Sequence, residues 1–148
     1  MSEDLKALSR RLIDEVINGG ELDKFEELVS PDWIDHSPFP GQAQGIEGAK
    51  QRLAMLRSAF PDFNITVEEE WAVGDTVVHR VKGSGTQRGE WMGFPASGKS
   101  FEVEAIEILR YRDGKEISHR GLIDQMSMMM QLGLLQYSPF AAADGAHR

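Results

Sequence analysis

Apolar positions recur at helical spacing as far as Ala59 and in alternation after Asn64. Leu5, Leu8, Leu12, Ile13, Val16 and Ile17 share one helical face, and Gly19-Gly20 ends that run. Leu22, Phe25, Leu28 and Val29 predict a short second helix, closed by Ser30-Pro31. The stretch from Asp32 to Gly45 holds prolines and glycines and reads as loop, with Trp33, Ile34 and His36 embedded in it. Ile46, Ala49, Leu53 and Leu56 predict a third helix running to Ala59, with Pro61-Asp62 beyond it.

From Asn64 the period changes to two. Alternation predicts strands to Trp71, from Thr76 to Thr86, from Ser100 to Arg112, and from Asp113-Gly114 to about Asp124. Gly74-Asp75 and Asp113-Gly114 supply tight turns. The Gly-rich stretch from Gly89 to Gly98 joins the second and third strands. Met126 to Leu135 reads as a short apolar helix or strand extension. Residues 136–148 carry little pattern and read as a poorly ordered tail. Helices followed by a strand meander predict a single α+β domain over residues 1–135, in which a curved, mostly antiparallel sheet wraps the helices.

Charge and cysteine content narrow the chemistry. With 16 basic against 24 acidic residues the net charge is −8, which opposes nucleic acid and anionic membrane surfaces. The absence of cysteine removes disulfides, thiolate metal sites and thiol nucleophiles. No apolar run is long enough for a transmembrane span, and Met1-Ser2-Glu3-Asp4-Leu5 is unlike a signal peptide, so a cytoplasmic protein is expected.

The order of elements resembles the cone-shaped fold of nuclear transport factor 2 and ketosteroid isomerase. Within it, Ala59-Phe60-Pro61-Asp62, Gly74-Asp75, Val77-Val78-His79-Arg80, Gly85-Thr86, Gly98-Lys99, Asp113-Gly114-Lys115, Asp124-Gln125 and Gln131-Leu132-Gly133 resemble the SnoaL-like polyketide cyclase family. The resemblance implies intramolecular aldol cyclisation of an aromatic polyketide without metal or cofactor, with Asp124 in the place of the family's general acid/base. Ser118 and Arg120 stand where the family often has Glu-x-Trp, and Gln87 replaces a common histidine, so the pocket is expected to be lined differently. Isomerisation or epoxide hydrolysis on the same fold, and a non-catalytic small-molecule or protein-binding module, stand as alternatives.

On a strand, Ser118, Arg120, Leu122 and Asp124 point one way and His119, Gly121 and Ile123 the other. If Leu122 faces the interior, so does Asp124, and a carboxylate among apolar walls has a raised pKa suited to proton transfer. The competing role for Asp124 is to cap the following helix. Arg120 would grip a carbonyl or carboxylate oxygen, or pair with Glu102, Glu104 or Glu107 across the strand. His36 would share proton transfer from its loop, or brace a turn. Trp33, Trp71, Trp91, Met92 and Phe94, with Leu122 and Ser118, are the candidate walls of a pocket for a hydrophobic substrate, or else core and dimer packing. No two histidines show metal-ligand spacing, so no metal site is expected. A sheet of this kind usually buries one face against a second copy, which leads to an expected homodimer.

Overall fold

A computed structural model describes residues 2–136, so the expected tail falls outside the described residues apart from Gln136. The first amphipathic run forms α1 (Ser2–Arg11) and continues into a wider π-helical turn over Leu12–Asn18. A single 3-10 turn, Leu22–Lys24, leads into α2 (Phe25–Leu28). The third run forms α3 (Gly45–Ala59) and the methionine-rich segment forms α4 (Gln125–Gln131). Among the described residues no helix is long and apolar enough to cross a membrane.

The alternating stretches form β2 (Asn64–Val73), β3 (Thr76–Thr86), β4 (Ser100–Arg112) and β5 (Lys115–Ile123) as an antiparallel meander. Asp113 and Gly114, at φ 52 and 77, make the left-handed turn that the β4–β5 hairpin requires. One element departs from the sequence reading. The end of the predicted second helix and the start of the stretch read as loop form a strand, β1 (Val29–Asp35), lying parallel to β5 at the sheet edge in the order β1-β5-β4-β3-β2. Pro31 hid it, since proline is tolerated in a strand only where its missing donor is not needed, as at an edge. Val29, Trp33 and Asp35 are its buried positions.

The helices cover one face of this sheet. Leu12, Val16, Phe25, Leu28, Val29, Trp33 and Ala49 form one apolar cluster beneath them. Leu56, Ala59, Phe60, Trp91, Phe101, Val103, Met128 and Leu132 form a second, where the Phe60 ring meets Phe101 at 5.1 Å and Trp91 at 5.5 Å, both edge-on. The opposite face is open, with Ile106, Ile108 and Leu122 exposed on it.

Two bulges decide which residues enter the space between the clusters. In β2 the register slips between Val67 and Glu69, which turns Glu70 inward opposite His79 while Glu68 and Glu69 stay exposed. In β5 a slip beside Tyr111 lets both Glu116 and His119 face inward although they are an odd number of positions apart.

Candidate active site

The interior holds a polar cluster enclosed by the two apolar ones. His119 lies at its centre. Its Nδ1 is 3.2 Å from Asp35 Oδ1 on β1 and its Nε2 is 2.9 Å from Glu107 Oε2 on β4. The second contact depends on Gly121, which sits opposite Glu107. A Cβ there would lie 3.2 Å from His119 Cε1 and Nε2, so glycine leaves the imidazole room to reach across.

Burial disfavours the charged His119 ring, but hydrogen bonds to Asp35 and Glu107 prevail and raise it to about 10. Burial by itself would raise Asp35. The His119 ring, the Ser37 N–H at 2.9 Å and the Gln42 amide at 3.0 Å instead hold it at about 2. Glu107 follows the same pattern, since burial opposes ionisation and His119 overrides it, so its pKa is lowered. At neutral pH the group is therefore an imidazolium between two carboxylates.

Arg52 of α3 supplies the second positive charge. Its Nη1 is 3.5 Å from Asp35 Oδ2, and its guanidinium lies over the Phe39 ring at 4.4 Å. The formal charges of Asp35, Glu107, His119 and Arg52 thus cancel. Nearby Glu116 forms no ion pair among the described residues. It is 1% exposed and accepts the Trp33 indole N–H at 3.0 Å. Burial raises its pKa to about 7, against the opposing effect of that hydrogen bond.

Two chambers meet at this cluster, sharing Arg52, Glu107 and His119. The outer one, of about 120 Å³, has walls from Phe39, Val81, Trp91, Phe101, Val103 and Met128. Trp91 is buried, and among the described residues its indole N–H has no acceptor. The inner one, of about 100 Å³, lies toward Leu12, Ile13, Phe25 and Trp33 and also touches Ser9, His79 and Glu116. An apolar cavity with a few convergent polar groups is the usual form of a small-molecule site.

The residues singled out from sequence divide between the two faces. The parity reading of β5 holds, but its direction reverses. Leu122 is 81% exposed, and the register pairs Ile106 with Leu122 and Ile108 with Arg120 on the open face. Ser118, Arg120 and His36 line a broad groove there, not the interior. Asp124 is exposed and sits outside the cluster, its carboxylate accepting the Ser127 N–H at 3.1 Å as the N-cap of α4. Trp71 is exposed on β2. Trp33 and Trp91 do line the chambers, and Leu122 reaches the rim of the outer one. Met92 and Phe94 are exposed in the turn that follows Trp91, where Met92 and Gly93 take φ 52 and 85.

Asp35, Arg52, Glu107, Glu116 and His119 were missed as a group. The available signal was polar residues in phase with apolar ones. Glu107 continues the Phe101, Val103, Ala105, Leu109 alternation, and His79 falls between Val77 and Val81.

The profile of the family described as SnoaL-like polyketide cyclase matches residues 7–132. The chain belongs to the SnoaL-like polyketide cyclase family. It is 30% identical over 132 residues to the aklanonic acid methyl ester cyclase DnrD of Streptomyces peucetius, covering 85% of this chain and 88% of that one. The nogalonic acid methyl ester cyclase of Streptomyces nogalater is 25% identical over 123 residues, covering 78% of this chain and 88% of that one. Among solved structures, TsrD from Streptomyces laurentii superposes with a TM-score of 0.82 at 28% identity, over 91% of this SnoaL-like chain and 98% of its own. The protein is accordingly an enzyme of the polyketide cyclase type with the cone-like fold of that family.

Proposed function

We propose that this SnoaL-like protein closes a ring in an ester of a polyketide acid by intramolecular aldol condensation, with Glu107 and His119 as the acid–base pair. The observation that carries this reading is the Glu107–His119 contact of 2.9 Å at the meeting point of the chambers, beneath apolar walls. The Glu107 carboxylate takes the proton from the carbon between two carbonyls. The enolate oxygen accepts from the Trp91 indole N–H and lies in the field of Arg52 and His119. The carbanion attacks the second carbonyl carbon, forming the new carbon–carbon bond. The resulting alkoxide then recovers the proton from Glu107, so the product is an isomer of the substrate and no step calls on a cofactor.

A carboxylate that is ionised at neutral pH serves as the base for enolate chemistry in an apolar site, as the aspartate of ketosteroid isomerase illustrates. Asp35 does not touch the substrate in this account. It holds the imidazole in place and keeps it charged. A chamber of 120 Å³ is slightly smaller than the roughly 150 Å³ that accepts benzene, so only the reacting end enters. The rest of the molecule lies over the rim at Leu122 and at Met92, whose sulfur touches Gln125 at 4.0 Å. The test is incubation with aklanonic acid methyl ester, followed by chromatography and mass spectrometry. A new species of unchanged mass with one ring more is expected, and recovery of unaltered substrate at high enzyme concentration would overturn the assignment.

The open face supports a second proposal, that two copies pair through it. Ile34, Ile106, Ile108 and Leu122 are exposed there at 40% or more, beside Arg110 and Arg120, on the side that the helices leave uncovered.

A further inference from the structure

Acidic and imidazole side chains alternate across all five strands on the inner face: Glu70 on β2, His79 on β3, Glu107 on β4, His119 on β5 and Asp35 on β1. Three of the four neighbouring pairs are in direct contact. Glu70 Oε2 is 3.0 Å from His79 Nε2, Glu107 Oε2 is 2.9 Å from His119 Nε2, and Asp35 Oδ1 is 3.2 Å from His119 Nδ1. His79 and Glu107 sit directly opposite each other in the β3–β4 register, yet His79 Nδ1 is buried and has no partner among the described residues.

The chemistry of the gap follows from its two sides. The Glu70 carboxylate can only accept, so His79 Nε2 carries the hydrogen, shared with Ser9 Oγ at 3.1 Å. That hydroxyl can accept it while its own proton goes to the Lys6 carbonyl at 2.9 Å, the nearer of its two acceptors, the other being Glu70 Oε2 at 3.5 Å. Burial disfavours the imidazolium form of His79, so Nδ1 presents a lone pair. Glu107 is held as a carboxylate and also presents lone pairs. Two acceptors cannot bond to each other, and a molecule with two O–H donors is needed to join them. Both residues line the inner chamber, whose 100 Å³ exceeds the roughly 30 Å³ share of one water. Glu116 Oε2, also buried and without a partner among the described residues, lines the same chamber and offers a further contact.

We propose that a water molecule in the inner chamber donates to His79 Nδ1 and to Glu107, completing a proton path from the Glu107–His119 pair to the partly exposed Glu70. When Glu107 carries a proton, it passes that proton to the water oxygen. The water gives one of its own to His79 Nδ1, and the Nε2 proton moves to Glu70 Oε2. Glu70 meets solvent beside Arg10, whose Nε lies 3.1 Å away and whose side chain is 49% exposed. Running the steps in reverse restores the starting tautomer, so no proton is gained or lost. His79 and Glu70 are positioning residues in this scheme and touch no substrate. The path serves the acid–base reading above, but its test reads the resting protein and needs no turnover.

Neutron diffraction on crystals exchanged into heavy water reads the bridge directly. A water between His79 Nδ1 and a Glu107 oxygen is expected, with deuterium on His79 Nε2 and none on Nδ1. Direct contact between the two side chains, a dry gap, or deuterium on Nδ1 would overturn the proposal. The path is read by nitrogen NMR as the rate at which the His119 Nε2–H, the one that faces Glu107, exchanges with water. His79→Phe keeps the ring volume and Glu70→Gln keeps a hydrogen-bonding partner, but neither can pass a proton on. Each should slow exchange about tenfold or more. Should His79→Phe fail to fold, Glu70→Gln decides the matter at the partly exposed end, and an unchanged rate there would reject the path.

Discussion

Replacing Glu116 by Gln tests the electrostatics of the interior through stability alone. Glu116 is fully enclosed, and its carboxyl is raised from 4.5 to about 7 in the folded protein. A folded-state value above the unfolded one means that the native protein binds this proton more tightly. Stability from this group is complete below about pH 4.5, falls as pH rises toward 7, and stays low above that. At about 1.4 kcal/mol per pH unit, the full loss is roughly 3 kcal/mol. Gln keeps an amide oxygen for the Trp33 indole and cannot ionise, so the variant lacks this slope. Its amide adds an offset that does not depend on pH.

The other interior groups are present in both proteins, and only their coupling to Glu116, chiefly that of His119, differs in the comparison. His119, raised to about 10, gives up its contribution between 6.5 and 10, and Asp35, lowered to about 2, does so below 3.8. The assay is urea denaturation of both proteins followed by tryptophan fluorescence, from about pH 5 to about pH 8. Relative to wild type, Glu116→Gln should gain roughly 2–3 kcal/mol across that range. Parallel stability curves would mean that Glu116 is already ionised in the native state at pH 5, and the account of its burial would be wrong.

Gly121→Ala places a methyl group 3.2 Å from the His119 ring. It should cost roughly 1–3 kcal/mol in thermal denaturation, by analogy with overpacking, and should lower turnover by displacing the imidazole from Glu107. Asp124→Ala removes the cap of α4 and should lose about 1 kcal/mol of stability. Leu122→Glu and Ile108→Glu put charge on the open face. Analytical ultracentrifugation should show wild-type dimers and variant monomers, and a monomeric wild type would remove the pairing proposal.

Periodicity revealed the helices and the meander because amphipathic helices and hairpin turns are local signals. β1 was invisible because its partner lies far along the chain and its sequence, Val29-Ser30-Pro31-Asp32-Trp33-Ile34-Asp35, carries proline and two aspartates. The site was harder to read for a related reason. Alternation shows which residues of β5 share a face, but not which face the helices cover, so Asp124 and Arg120 appeared as interior candidates. The β2 and β5 bulges then break the alternation, and no local pattern announces them. Glu70 consequently turns inward although its neighbours Glu68 and Glu69 are exposed. His119 read as one of several scattered histidines, although β1, β4 and β5 bring Asp35, Glu107 and His119 together.

Proton transfer is placed by this proposal at Glu107 and His119 inside the chambers and not at Asp124 outside them. Cyclisation rates of Glu107→Gln and Asp124→Asn, measured side by side on aklanonic acid methyl ester, test it most directly. Glu107→Gln should lose about 10²–10⁴-fold in kcat, and Asp124→Asn should stay within about threefold of wild type. The reverse pattern, with Glu107→Gln active and Asp124→Asn dead although still folded, would contradict it.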